Sequence, residues 1–171
     1  EHSPDVHAER QDPREQRLRP PGSCFLTRPG SMARRRDQRR RAARCRGGRS
    51  GLEVSTLTLG TMMFGDRTDE ASSREIVAHA RDAGVNFIDT ADAYGTGESE
   101  RITGQAIRAE RDRWVLATKV GNRIAEGERN NGGLSRSWVL RACDGSLGRL
   151  GTDHIDIYYL HRDFNGMDLE E

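Results

Sequence analysis

The amino-acid sequence predicts an α/β fold in which parallel strands are covered by helices. Three observations carry that prediction. From Gly51 onward, short segments of strand period alternate with longer segments of helical period, in the order β-α-β-α-β-α-β. The links between them are short, which favours consecutive units packed side by side. Trp114–Thr118 is a nearly continuous apolar run, the pattern of a strand buried on both faces. Two architectures satisfy this order: an open doubly wound sheet and an eight-stranded barrel. Four strands cannot close a barrel, and a whole one takes roughly 250 residues. As a barrel, the chain stops about halfway.

The elements follow in order. Val54–Leu59 alternates with period two and reads as a strand ending at Gly60. Thr68 or Asp69 caps a helix with apolar positions at Ala71, Ile76, Val77 and Ala80, and Gly84 stands where a left-handed terminator is wanted. Val85–Asp89 is a second strand. Glu98–Ala109 is a second helix with Ile102, Ala106 and Ile107 on one side. Trp114–Thr118 is the third strand. Ser135 caps a third helix whose inner face carries Val139, Leu140, Cys143, Leu147 and Leu150. Gly145, Gly148 and Gly151 read as the termination of that helix. Ile155–Leu160 is the fourth strand, and Asp168–Glu171 looks like the first turn of a further helix. Trp114 and Trp138 read as packing residues.

Upstream the character differs. Residues 1–50 hold 14 Arg and 6 acidic residues, a net of +8; the rest of the chain holds 14 basic and 21 acidic residues, a net of −7. The first segment has no Ile, Trp or Tyr, so it has too little apolar material to offset chain entropy. The expected organisation is a disordered Arg-rich segment over 1–47 and half of a barrel over 48–171. No aromatic platform or recognised module accompanies the arginines, so nucleic acid is not an expected partner. The first 50 residues show no positively charged start followed by an apolar core and a cleavage site, so a secretory leader is not expected; no apolar run approaches membrane length, and a membrane partner is not expected either. Cys24, Cys45 and Cys143 are odd in number and widely spaced, with no CxxC pair. They suit free thiols in a reducing, cytoplasmic compartment rather than a disulfide framework or a metal site.

A dinucleotide-binding open sheet carries GxGxxG at its first strand-to-helix turn. Here that turn reads Gly60-Thr-Met-Met-Phe-Gly65, which does not match. The informative residues stand at the carboxyl ends of the strands. Strand two ends in Asp89, with Tyr94 in the loop beyond it; strand three ends in Lys119; strand four ends in His161. In a barrel those ends form one rim, where active sites are built. Taken singly, Asp89 could cap a turn, Tyr94 could pack, Lys119 could be solvated and His161 could be a satisfied structural histidine. Three successive strand ends favour the functional reading. Lys119 adds a compositional point, because it is the only lysine among 28 basic residues.

Carbonyl reduction gives those residue types a reason. Hydride addition to a carbonyl leaves an alkoxide that needs a proton. A tyrosine with a pKa of about 10 can supply one, and a neighbouring ammonium lowers that pKa towards the working range. An aspartate keeps the ammonium charged and placed, and a histidine can hydrogen-bond the substrate oxygen.

Asn86-Phe-Ile-Asp89-Thr-Ala-Asp-Ala-Tyr94-Gly95, followed by Glu98-Ser-Glu100 and Gly104, resembles the signature of the aldo-keto reductase superfamily. Ala117-Thr-Lys119-Val120 and Leu150-Gly-Thr-Asp-His-Ile-Asp-Ile-Tyr-Tyr-Leu-His161-Arg162 are similar to its third and fourth strands. The likeness runs from about Gly48 to the end of the chain. It implies the first four β/α units of a (β/α)8 TIM barrel that reduces aldehydes or ketones with NADPH. By the same resemblance Tyr94 is the proton donor, Lys119 and Asp89 are its tuning pair, and His161 orients the substrate. Gly60, Thr61, Met62 and Asp89 lie near the nicotinamide end of the cofactor. The implied partner is a small-molecule carbonyl compound; no motif bears on oligomeric state. Some barrels of this family serve instead as redox-sensing subunits of membrane channels.

Two departures from the family pattern stand out. Gly48-Arg-Ser-Gly-Leu52 matches a stretch that normally follows a short hairpin, but Arg-rich sequence stands where the hairpin belongs. Strands five to eight, which in the family supply most NADPH contacts, are not in the sequence. The chain therefore reads as a fragment, and the 171-residue piece by itself is expected to be inactive.

Overall fold

The computed structural model describes residues 42–122 and 132–162. A two-stranded hairpin comes first. β1 (Arg44–Arg46) pairs antiparallel with β2 (Glu53–Ser55), and Gly48 and Gly51 take up the positive φ that the connecting turn requires. This corrects the expectation that Arg-rich sequence replaces the hairpin. The remainder of the expected disordered segment, residues 1–41, lies outside the described residues. All of β1 is exposed, so it has no buried face to write an apolar alternation into the sequence. Its backbone is held from elsewhere. Thr56 N donates to Ala43 O at 2.8 Å, and Ala42 N donates to Ala83 O at 2.7 Å.

The single strand expected over 54–59 is two. β2 belongs to the hairpin, whereas β3 (Thr58–Gly60) starts the main sheet. Between them Ser55 Oγ donates to Leu57 O at 2.6 Å and turns the chain. Period two runs through the break because both pieces are extended. Asn86 fastens the hairpin to the sheet: its Oδ1 accepts from Ser55 N at 2.7 Å and its Nδ2 donates to Glu53 O at 2.9 Å.

The main sheet is β3, β4 (Phe87–Asp89), β5 (Val115–Val120) and β6 (Ile157–Leu160), all parallel and in sequential order. Helix α1 (Glu70–Asp82) links β3 to β4, α2 (Glu98–Ile107) links β4 to β5, and α3 (Arg136–Leu150) precedes β6. The order has no reversal, which is what successive barrel units give and a doubly wound sheet does not. The caps fall where the residue types predict them. Asp69 accepts from Ser72 N, Ser135 accepts from Trp138 N, and Gly84 and Gly151 take φ of +84° and +63° at the helix ends.

Ile88, Leu116 and Val120 point under the helices and are fully buried, joined there by Phe64, Val77, Val85, Ile102, Ile107, Trp114 and Leu150. Three expectations shift. The second helix ends at Ile107 and continues as a tight 3-10 segment to Arg113. Leu140, expected on an inner face, is exposed, as is the apolar Ile76 of α1. The inner face of α3 is carried by the expected Leu150 together with Ala142 and Ser146. Small residues win there because α2 and α3 approach closely: a Cβ added at Gly104 would lie 2.0 Å from Leu150 O. The helix turn expected at Asp168–Glu171 lies outside the described residues.

Candidate active site

The other face of the sheet is an open cleft of about 540 Å³, lined by Gly60, Phe87, Asp89, Lys119, Tyr159 and His161 among others. Alternation along each strand puts these residues opposite the helix-covered set. Gly60, Asp89, Lys119 and His161 all stand at or beyond the carboxyl ends of their strands, so the sheet brings them to one mouth.

Tyr94 reaches that mouth from the loop after β4. A buried knot of hydroxyls holds the loop. Ser99 Oγ lies 2.9 Å from Thr61 Oγ1 and 3.0 Å from Thr90 Oγ1, and donates to Thr61 O at 2.7 Å. The chain then turns sharply through Gly95, Thr96 and Gly97, all at positive φ. Thr96 is the one non-glycine residue in that region among the described residues.

Lys119 is the hub. Asp89 is paired in register with Ala117, so the lysine side chain reaches back one pleat to meet it. Its Nζ donates to Asp89 Oδ2 at 2.6 Å, to Thr90 O at 2.7 Å and to Tyr94 Oη at 3.1 Å. The lysine side chain is 13% exposed and that of Asp89 27%, so the ion pair is only partly screened by water. The ammonium also lies 4.7 Å from the Tyr94 ring centroid.

His161 follows β6 directly and its N donates to Val120 O at 2.7 Å. Its ring stands edge-on to Tyr94, with centroids 5.7 Å apart. Burial holds its pKa below the ordinary histidine value, and the charges of Lys119 and Arg162 push the same way against the weaker pull of Asp89.

The cofactor candidates divide. Gly60 opens on the cleft, and a Cβ there would meet nothing within 4 Å. Met62 is 58% exposed. The Thr61 side chain is fully enclosed, with Oγ1 donating to Asp89 O at 3.2 Å.

Sequence reasoning missed Asn122, whose Nδ2 lies 3.0 Å from His161 Nδ1. It is the next polar side chain after Lys119, which was the only signal for it. A second polar cluster on the covered face was also missed. Glu100, fully enclosed, accepts from Thr118 Oγ1 at 2.6 Å and from Arg149 Nε at 2.6 Å. Nearby Asp92 is enclosed, with no hydrogen-bond partner for its carboxylate oxygens among the described residues. Burial, and then the charge of Glu100, raise its pKa to about 6. Among the described residues no group of three or more His, Cys, Asp or Glu could hold a metal ion, and no helix is long and apolar enough to cross a membrane.

With this geometry in hand, comparison with known proteins is specific. The model of the Aldo/keto reductase family matches residues 56–171. The uncharacterized oxidoreductase YrpG of Bacillus subtilis is 43% identical over 124 residues, which cover 67% of this chain and 38% of that protein. A protein of Arabidopsis thaliana described as a probable voltage-gated potassium channel subunit beta is 39% identical over 128 residues, covering 72% of this chain and 38% of its own length. Among solved structures, an aldo-keto reductase of Bacillus halodurans in its holo form superposes with a TM-score of 0.69 at 37% identity, over 76% of this chain and 43% of that one. A putative aldo-keto reductase of Pseudomonas aeruginosa gives 0.65 at 39% identity, over 75% and 50%. The chain thus spans well under half the length of the curated relatives it matches, and its fold is part of the barrel of the structural neighbours.

Proposed function

The chain belongs to the aldo/keto reductase family, and on that premise we propose that it supplies the acid–base half of an NADPH-dependent reduction of aldehydes or ketones. The observation that carries this reading is the Lys119 ammonium, which donates to the Asp89 carboxylate and to the Tyr94 hydroxyl oxygen together. The bond from the ammonium holds Oη in place at the mouth of the cleft, and the phenol O–H is the proton source that an alkoxide there would need. Asp89 fixes where the lysine points. His161, facing the Tyr94 ring, is the second group able to bond a carbonyl oxygen at that spot.

The residues fit the nicotinamide end of the cofactor. Gly60 leaves the wall beside Asp89 free of side chain, and Met62, two residues further on, is exposed. Thr61 contributes through the backbone, because its hydroxyl is already engaged. A reduced nicotinamide bound beside Gly60 and Asp89 would supply the hydride. We assign the phosphate end of the cofactor to barrel units other than the four β/α units of this chain. Free Cys45 and Cys143 accord with a cytoplasmic location.

The test is carbonyl-dependent NADPH oxidation by the full-length protein that carries this chain. Tyr94→Phe is expected to cut turnover by about 10²–10⁴-fold while leaving NADPH binding unchanged. Undiminished turnover would remove Tyr94 from its role. Turnover by the 171-residue chain alone would overturn the fragment reading.

The Arabidopsis relative favours a second reading, a regulatory subunit of a channel. Co-purification with a channel, without carbonyl turnover, would select it.

A further inference from the structure

Asn122 lies just past β5, three residues beyond Lys119, and is partly buried. Its Nδ2 sits 3.0 Å from His161 Nδ1. No other side chain bonds that ring among the described residues. A carboxamide nitrogen donates and cannot accept, whereas a neutral imidazole has one N–H and one lone pair. The nitrogen facing Asn122 must therefore carry the lone pair. The ring proton goes to Nε2, across the ring from Asn122, and His161 lines the cleft.

We propose that Asn122 is a positioning residue that fixes His161 as the Nε2-protonated tautomer, so that the ring offers a donor to a carbonyl oxygen beside Tyr94. The donor role rests on the functional reading above; the tautomer does not. The groups facing the ring are Tyr94, Lys119, Asp89 and Arg162. Two of these are cations, and burial disfavours a third positive charge, so the ring stays neutral and its tautomer becomes the property that matters. Without a donor at Nδ1 both tautomers are available, and a ring with its lone pair at Nε2 repels a carbonyl oxygen instead of binding it.

The experiment reads the tautomer directly. Two-bond proton–nitrogen correlation on the uniformly ¹⁵N-labelled chain, with the His161 signals identified by their loss in His161→Gln, should show a neutral ring protonated at Nε2 near pH 7. Asn122→Asp replaces the donor with an acceptor. It should move the proton to Nδ1 or raise the imidazolium fraction, shifting the His161 titration to higher pH. Asn122→Ser keeps a donor and should retain the wild-type tautomer, which separates this role from packing. A wild-type ring protonated at Nδ1 would overturn the proposal, and that measurement needs no variant. So would an Asn122→Asp chain that folds with unchanged tautomer and titration. In the full-length protein Asn122→Asp should lower kcat by roughly 10–100-fold, with an altered pH profile and little change in NADPH binding. If the tautomer is as stated and no carbonyl is turned over, the functional reading fails and the tautomer assignment stands. If carbonyls are turned over with Nδ1 protonated, the reverse holds.

Discussion

Thr118 and Lys119 are neighbours in β5, and the pleat sends them to opposite sides of the sheet. Each is the centre of a polar cluster, and the clusters are built differently. On the covered side Thr118 and Arg149 together satisfy Glu100, which water does not reach. On the open side Lys119 joins Asp89 and Tyr94 at the rim of a cleft, where both partners of the ion pair keep some exposure. The covered cluster locks α2 and α3 to the strand that carries the lysine. The open cluster holds a phenol where a ligand can reach it. Burial alone therefore does not mark the proposed site: Glu100 and Asp92, both fully enclosed, do not line the cleft.

If that contrast is sound, the largest effect belongs to the open side and appears in turnover. Lys119→Met should cost the full-length protein about 10²–10⁴-fold in carbonyl reduction. The Lys119→Met, Tyr94→Phe double variant should lose scarcely more, because residues acting as one unit are not additive. A fully additive loss would show that the two act separately. Next comes the covered side, read in stability. Glu100→Ala leaves Arg149, 24% exposed in its side chain, without its carboxylate. It should destabilise the chain by about 3 kcal/mol in urea unfolding, and pairing it with Arg149→Met should recover most of that. No change in the unfolding midpoint would deny the cluster its structural role.

A smaller effect separates the covered carboxylates by pH. Asp92 has a folded pKa raised from 3.8 to about 6, so folding favours its protonated form. The unfolded state releases that proton first, and stability falls as pH rises from about 4 through 6. Asp92→Asn removes this dependence. It should gain roughly 1–2 kcal/mol over wild type at pH 8 and nothing at pH 4; a gain equal at both would refute the assignment. The smallest effect is expected on the outer surface. Glu70 and Arg74 on α1 are about half exposed, and Glu70→Gln should shift stability by about 0.3 kcal/mol.

What the sequence disclosed follows the same division. Asp89, Lys119 and His161 were legible because strand ends can be read from period and length, and a parallel arrangement brings successive ends together. Tyr94 was legible from its place in the same loop. Glu100 was not, because its partners Thr118 and Arg149 lie 18 and 49 residues away, and a glutamate in a helix reads as solvated until the fold encloses it. The hairpin strand Arg44–Arg46 was illegible for the opposite reason: its order comes from backbone bonds to Ala83 and Thr56 through its flank, which leave no trace in side-chain pattern. Leu140 misled because helical period marks a stripe, and close packing at Gly104 turned α3 so that small residues faced inward.

The Lys119 ammonium has three hydrogens, and three acceptors surround it: a carboxylate, a carbonyl and a phenol oxygen. Its valence is closed before any ligand arrives. A molecule entering the cleft feels the positive charge but finds no lysine hydrogen to take. An anion can be attracted to this mouth yet has to break a bond to Asp89, Thr90 or Tyr94 in order to pair with it. On the proposed function a neutral carbonyl need break nothing, since it would ask only for the hydrogens of Tyr94 and His161. The coordination of one nitrogen thus sorts ligands by charge before shape is consulted.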